Sequence, residues 1–211
     1  ALESRGWDLV RRPTGGRAIL HADELTYSVA ARQDEPRVSG SILESYRRIS
    51  AALLHALVIL GLSPRADQKY PLPDGAQQNG AVCFEVPSNY EITVNGKKLI
   101  GSAQARRSNG ILQHGSLPLY GDLTRITQVL AYPDQPSQEV AARRLISHAA
   151  TVESILGNSS GWEEAANAFR TAFEMKLDLK FIQSDPEADE SIRAEELVET
   201  KYGNSKWTQR V

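Results

Sequence analysis

Residues 83–117 read CFEVPSNYEITVNGKKLIGSAQARRSNGILQHGSL and hold the only cysteine of the chain, a lysine pair at 97–98 and one of four histidines. Ile92 and Val94 alternate with polar neighbours, Asn95-Gly96 is a strong short hairpin signal, and Lys98-Leu99-Ile100 resumes the run. Two strands joined by a tight turn are therefore predicted. Gly101-Ser102-Ala103 supplies small residues, so a backbone or ligand can approach closely there. A second turn at Ser108-Asn109-Gly110 sends the chain into Ile111-Leu112-Gln113-His114-Gly115. On this reading Cys83, Lys98 and His114 lie near adjacent strands and face one pocket. A lone cysteine is by default a small buried hydrophobe, and both readings of Cys83 stand at this level.

Working outward toward the N-terminus, Trp7 to Arg12 reads as a strand entering a loop, Arg11-Arg12-Pro13-Thr14-Gly15-Gly16-Arg17. The glycine pair permits positive φ, so the backbone can curl and present N–H groups to an anion, although an exposed turn is the plainer reading of the composition. Ala18 to His21 and Glu24 to Val29 read as strands, with His21 a structural histidine by default. Ser41-Ile42-Leu43-Glu44 is a capping box, followed at helical spacing by Ile42, Tyr46, Ile49, Leu53, Leu57 and Leu60 until Gly61 stops the pattern. Residues Ser63 to Gly80, with three prolines and no periodicity, read as a loop.

Toward the C-terminus, Leu123 to Leu130 marks a short helix and residues 137–148 one or two helical turns. A second capping box at Ser160-Gly161-Trp162-Glu163 opens a helix whose stripe of Trp162, Phe169 and Phe173 reads as core. Leu177 to Ile182 reads as a strand, and residues 187–202 as an acidic helix with a solvated face. Strands that do not alternate regularly with helices predict an α+β fold, a mixed β-sheet flanked by helices, in one domain spanning 1–211.

At 211 residues the chain can bury a core of its own, and a net charge of -2 disfavours nucleic acid as a partner. No apolar run approaches the roughly 20 residues that span a bilayer, and the N-terminus lacks a signal-peptide layout, so no membrane association and a cytoplasmic location are expected. One cysteine forms no internal disulfide, which fits a reducing compartment. No phosphate-binding loop, dinucleotide turn or zinc spacing is present, so no metal and no dinucleotide cofactor is expected.

Taken together, RRPTGGRAILHADELTYSV, CFEVPSNYE, NGKKLIGSAQ and LQHGSL resemble the lipoate–protein ligase and octanoyltransferase family, and ESIRAEELVETKYGNSKW is similar to that family's C-terminal helix. The resemblance implies a catalytic domain related to biotin protein ligase and class II aminoacyl-tRNA synthetases, and attachment of an octanoyl or lipoyl chain to a protein lysine. It matches Lys98, which is followed by two residues and then Gly101-Ser102-Ala103, to the catalytic lysine. It assigns Arg12, Thr14, Gly15 and Gly16 to the acyl pocket with His21 close by, adds Gly101, Ser102 and Ala103 to the substrate-binding set, and matches His114-Gly115 to the family's His-Gly.

Within the family, Cys83 before Phe84 and Pro87-Ser88 resembles the transferase branch, which passes octanoate from octanoyl-acyl carrier protein to lipoyl-domain proteins, the glycine cleavage H protein among them, through a Cys thioester and without a cofactor. The alternative within the family is a lipoate–protein ligase that uses ATP and Mg. An amidotransferase between carrier proteins and a non-catalytic acyl-binding protein are the other readings. Arg11, Arg12, Arg17, Arg106 and Arg107 suit an acidic partner surface. The family ordinarily has several tens of residues before the Arg-Arg motif, so the resemblance implies a domain without its usual N-terminal segment, or one completed by a second chain or segment.

Overall fold

The computed structural model describes residues 2–67, 91–107, 110–158 and 160–209. It divides into two compact units, Gly16–Lys180 and Ala1–Gly15 with Phe181–Val211, where the sequence suggests one domain. No described helix is long and apolar enough to cross a membrane.

The larger unit is α+β. Five strands, β1 (Glu24–Ala31), β2 (Arg65–Asp67), β3 (Glu91–Val94), β4 (Lys97–Arg107) and β5 (Gly110–Pro118), form one sheet in the order β1-β5-β4-β3-β2. The four ladders between the named strands are antiparallel, and an isolated parallel bridge joins Lys98 and Ala149. The β3–β4 hairpin closes through Asn95 (φ 51°) and Gly96 (φ 74°), both left-handed, which defines a type I′ turn whose twist matches its flanking strands. β2 falls inside the segment read as loop from Ser63 onward.

Helix α1 (Ile42–Ile59) starts where the capping box predicts. The Ser41 hydroxyl accepts from the Glu44 N–H, and Glu44 accepts from the Ser41 N–H, which holds the Glu44 carboxyl below its usual range. Its face of Ile49, Leu53, Ala56 and Leu57 is fully buried, together with Ala165, Phe169, Ala172 and Phe173 of α4 (Trp162–Leu177), against one face of the sheet. Burying each large aliphatic side chain contributes about 1.5–3 kcal/mol.

Further sequence expectations change in the larger unit, among them Trp162, which was expected in the core and is exposed. Ser160 is not the cap of α4; Gly161 holds that position without a side-chain bond. Residues 135–148 form a full helix, α2 (Gln135–His148), whose cap is Asp134, and a short α3 (Val152–Leu156) with a Thr151–Ser154 capping box follows. Leu177 to Ile182 is not a strand: α4 runs to Leu177 and ends through Asp178 at φ 48°, because Phe169 and Phe173 hold the helix against the core. Of Ala18 to His21 only Ala18 makes a bridge. The helix read over Leu123 to Leu130 is a 3₁₀ helix, Leu123–Gln128.

In the smaller unit, Trp7 to Arg12 is not a strand either. The Arg11 carbonyl accepts from the Trp207 indole N–H at 2.8 Å, and the Arg11 guanidinium donates to the Thr208 carbonyl at 3.1 Å, so its bonds go to α6 (Ser205–Thr208). The acidic segment is helical as read, α5 (Ala188–Leu197) followed by a π-helical turn at Val198–Tyr202.

Candidate active site

The sheet has a helix-covered face and an opposite face, and the register decides which residues belong to each. In β3 and β4, Ile92 pairs with Ile100 but Thr93 pairs with Lys98, so Leu99 is the extra residue of a β-bulge. Without the bulge, two-residue alternation would put Lys98 on the face of Ile100, which is packed into the core. With it, Lys98 joins Glu91 and Thr93 on the opposite face. Beyond the bulge that face continues through Gly101, Ala103 and Ala105, in register with Ser116, His114 and Leu112 of β5 and then Thr26, Ser28 and Ala30 of β1.

Lys98 is 6% exposed, and its Nζ donates to Glu91 Oε1 at 2.5 Å, with Glu91 5% exposed. The Lys98 carbonyl accepts from the Ala150 N–H at 3.1 Å, so the segment after α2 fixes the backbone as well. Lys97 pairs with Val94, a core residue on the helix-covered face, and its Nζ donates to the Ile146 carbonyl of α2 at 2.8 Å. The two lysines are thus separated as alternation predicts.

Around Lys98 the face carries small and half-exposed residues: Ala103, Ala105, Leu112 and His114 are each partly accessible. At its β1 end His21 Nδ1 lies 2.5 Å from Glu24 Oε1, and Glu24 also accepts from the Thr26 hydroxyl at 2.6 Å. A cleft beside Glu24 is lined by Ile19, Leu20, Pro118, Leu123, Ile126 and Leu145. The Ser116 hydroxyl is fully buried and has no hydrogen-bond partner among the described residues. No group of three metal-ligating side chains occurs among the described residues.

Of the residues singled out by sequence, Lys98, Gly101, Ala103 and His114 share this face, and His21 lies at its edge. Ser102 does not: its hydroxyl is 2.7 Å from the Tyr27 hydroxyl on the helix-covered face. Gly16 turns at φ 99° in the larger unit. Arg12, Thr14 and Gly15 belong to the smaller unit, where the Arg12 guanidinium donates to the Thr14 hydroxyl at 2.9 Å and Gly15 turns at φ 67°. These left-handed turns are what the glycine pair was read to permit. Cys83 lies outside the described residues.

Arg106 is no free rim charge, since it donates to the carbonyls of Val38 and Ser41 and to Gln104. Glu91 escaped the sequence reading because a carboxylate after Tyr90 carries no spacing signal. Only the bulge brings it to Lys98.

The family model for the lipoyl protein ligase A/B catalytic domain matches residues 1–174. The chain belongs to that family and is an acyltransferase of the lipoate–protein ligase class. It is 36% identical to the octanoyltransferase LipM of Brevibacillus brevis over 99% of this chain and 77% of that protein. It is 38% identical to LipM of Kyrpidia tusciae over 100% of this chain and 77% of that protein. Among solved structures, a bipartite lipoate protein ligase from Thermoplasma acidophilum superposes with a TM-score of 0.79 at 25% identity, covering 98% of this chain and 72% of the other. Lipoate-protein ligase A bound with ATP superposes at 0.74 with 26% identity, covering 98% and 74%.

Proposed function

We propose that this enzyme transfers an octanoyl group from octanoyl-acyl carrier protein to a lysine of a lipoyl-domain protein, in the biosynthesis of protein-bound lipoate. The observation that carries the reading is the 36–38% identity to octanoyltransferases over essentially the whole chain, in a sequence whose single cysteine, Cys83, precedes Lys98 by fifteen positions.

The chemistry is two acyl transfers. The Cys83 thiolate attacks the carbonyl of the donor thioester, a tetrahedral oxyanion forms, and the carrier's thiolate leaves with a proton from the medium. Thiols of comparable leaving-group ability exchange without further activation, so no nucleotide is consumed. The acceptor lysine, as a free amine, then attacks the Cys83 thioester, the Cys83 thiolate leaves, and the new amide nitrogen releases one proton. Lys98 supplies the hydrogen-bond donor to the oxyanion in both steps. The small residues along β4 leave room for the chain, and the acceptors are lipoyl-domain proteins, with the glycine cleavage H protein as one candidate.

Intact-mass measurement after mixing with octanoyl-acyl carrier protein, with and without ATP, tests this. The expected result is one octanoyl adduct that needs no ATP and disappears in Cys83→Ala. An adduct that survives Cys83→Ala excludes the thioester, and octanoylation that proceeds only from free octanoate and ATP supports a ligase.

A further inference from the structure

We propose that Glu91 is the positioning residue for Lys98: its carboxylate fixes the ammonium at the reacting carbonyl and thereby sets the rate of acyl transfer. The inference rests on the reading of Lys98 as the oxyanion donor.

The pair Lys98–Glu91 is alone among the described ion pairs in burying both partners, at 6% and 5% exposure; the others leave at least one side chain a third or more exposed. Such a pair is a poor device for stability, because the desolvation of two charges offsets most of their attraction and apolar residues of like volume do as well. Its value lies in geometry. A lysine side chain has four rotatable bonds and loses substantial rotamer entropy when held in one place. Here the backbone is held by the Ala150 N–H, the Leu99 bulge turns the side chain toward Glu91 and Thr93, and the carboxylate at 2.5 Å fixes the far end. Backbone, bulge and carboxylate thus hold the side chain before substrate arrives, which is the condition under which a donor stabilises a developing oxyanion without reorganising. Removing the carboxylate takes away the ion-pair partner that holds Nζ at 2.5 Å, and the flexible stem is then less firmly aimed.

The test measures single-turnover octanoyl transfer, the donor KM and the thermal midpoint for Glu91→Gln, Glu91→Asp, Lys98→Met and the double variant Lys98→Met/Glu91→Gln. The expected result is a loss of about 100-fold in transfer rate for Glu91→Gln with KM within about threefold, and recovery to within about tenfold of wild type in Glu91→Asp. Lys98→Met is expected to be inactive. The double variant is expected to be equally inactive but to melt above Glu91→Gln, since the buried ammonium is replaced by an apolar side chain. A Glu91→Gln enzyme that transfers at half the wild-type rate or better, beside an inactive Lys98→Met, overturns the role of Glu91 and leaves that of Lys98 intact. A fully active Lys98→Met overturns the reading of the site itself. Should Glu91→Gln fail to fold, Glu91→Asp decides: a rate at the wild-type value contradicts the proposal, and a loss of about tenfold at an unchanged thermal midpoint supports it.

Discussion

The two faces of the sheet treat polar groups in opposite ways. On the helix-covered face several are spent on one another, although the buried Ser50 hydroxyl of α1, like that of Ser116, has no partner among the described residues. The Gln113 side-chain amide donates to the Tyr27 hydroxyl, Gln104 donates to Gln113, Ser45 of α1 bonds Gln104, and Tyr27 meets Ser102. The chain of bonds is closed over by Phe169 and Phe173, whose rings lie 6.0 and 6.2 Å from that of Tyr27. On the other face a buried lysine and glutamate stand next to alanines and a glycine, and a buried serine hydroxyl has no partner among the described residues. Most buried polar groups in a finished core are satisfied. A face that keeps charge, small side chains and accessible surface together is organised for something that is not part of the core.

That contrast can be attacked from either side. The larger effect belongs to the Lys98 face: Ala103→Trp places an indole on the strip proposed for the acyl chain. It should slow octanoyl transfer by at least about tenfold, near 1.4 kcal/mol of barrier, while the thermal midpoint stays close to wild type. A parallel fall in both would make Ala103 an ordinary packing position.

The smaller effect belongs to the covered face. Tyr27→Phe removes the hydroxyl that Gln113 and Ser102 share, and should cost about 1 kcal/mol of stability in denaturant titration while activity per folded molecule is unchanged. Burial raises the Tyr27 hydroxyl well above its ordinary value of 10.0, with the bonds from Gln113 and Ser102 opposing the shift. A group raised in the folded state binds its proton more tightly there, so its stabilisation is complete below pH 10 and declines as pH climbs above that value. Tyr27→Phe should therefore flatten the alkaline limb of the stability profile. An identical limb in both proteins would show that Tyr27 is not the group responsible.

What could be read from the sequence follows the same division. The β3–β4 hairpin was legible because Asn95-Gly96 fixes a turn by local sterics alone, and α1 because its capping box and apolar spacing agree. Lys98 stands out in the sequence through its offset from Gly101-Ser102-Ala103, and the structure buries it on the face opposite the helices. The Leu99 bulge was not, since an extra residue in one strand is a property of pairing with β3 and leaves no mark on β4 itself. Glu91 was hidden for that reason, and so was the turning of Ser102 toward Tyr27. The strand expected from Trp7 to Arg12 failed because its carbonyl found Trp207, some 196 residues away, instead of a neighbouring strand.

The central claim is that Lys98, by virtue of the face it occupies, acts in acyl transfer and Lys97 does not. Octanoyl transfer rates of Lys97→Ala and Lys98→Ala, measured side by side on protein shown to be folded, test it most directly. A loss of two to three decades is expected for Lys98→Ala, about 3–4 kcal/mol of transition-state stabilisation, with Lys97→Ala near wild type. Comparable rates for the two variants would contradict it.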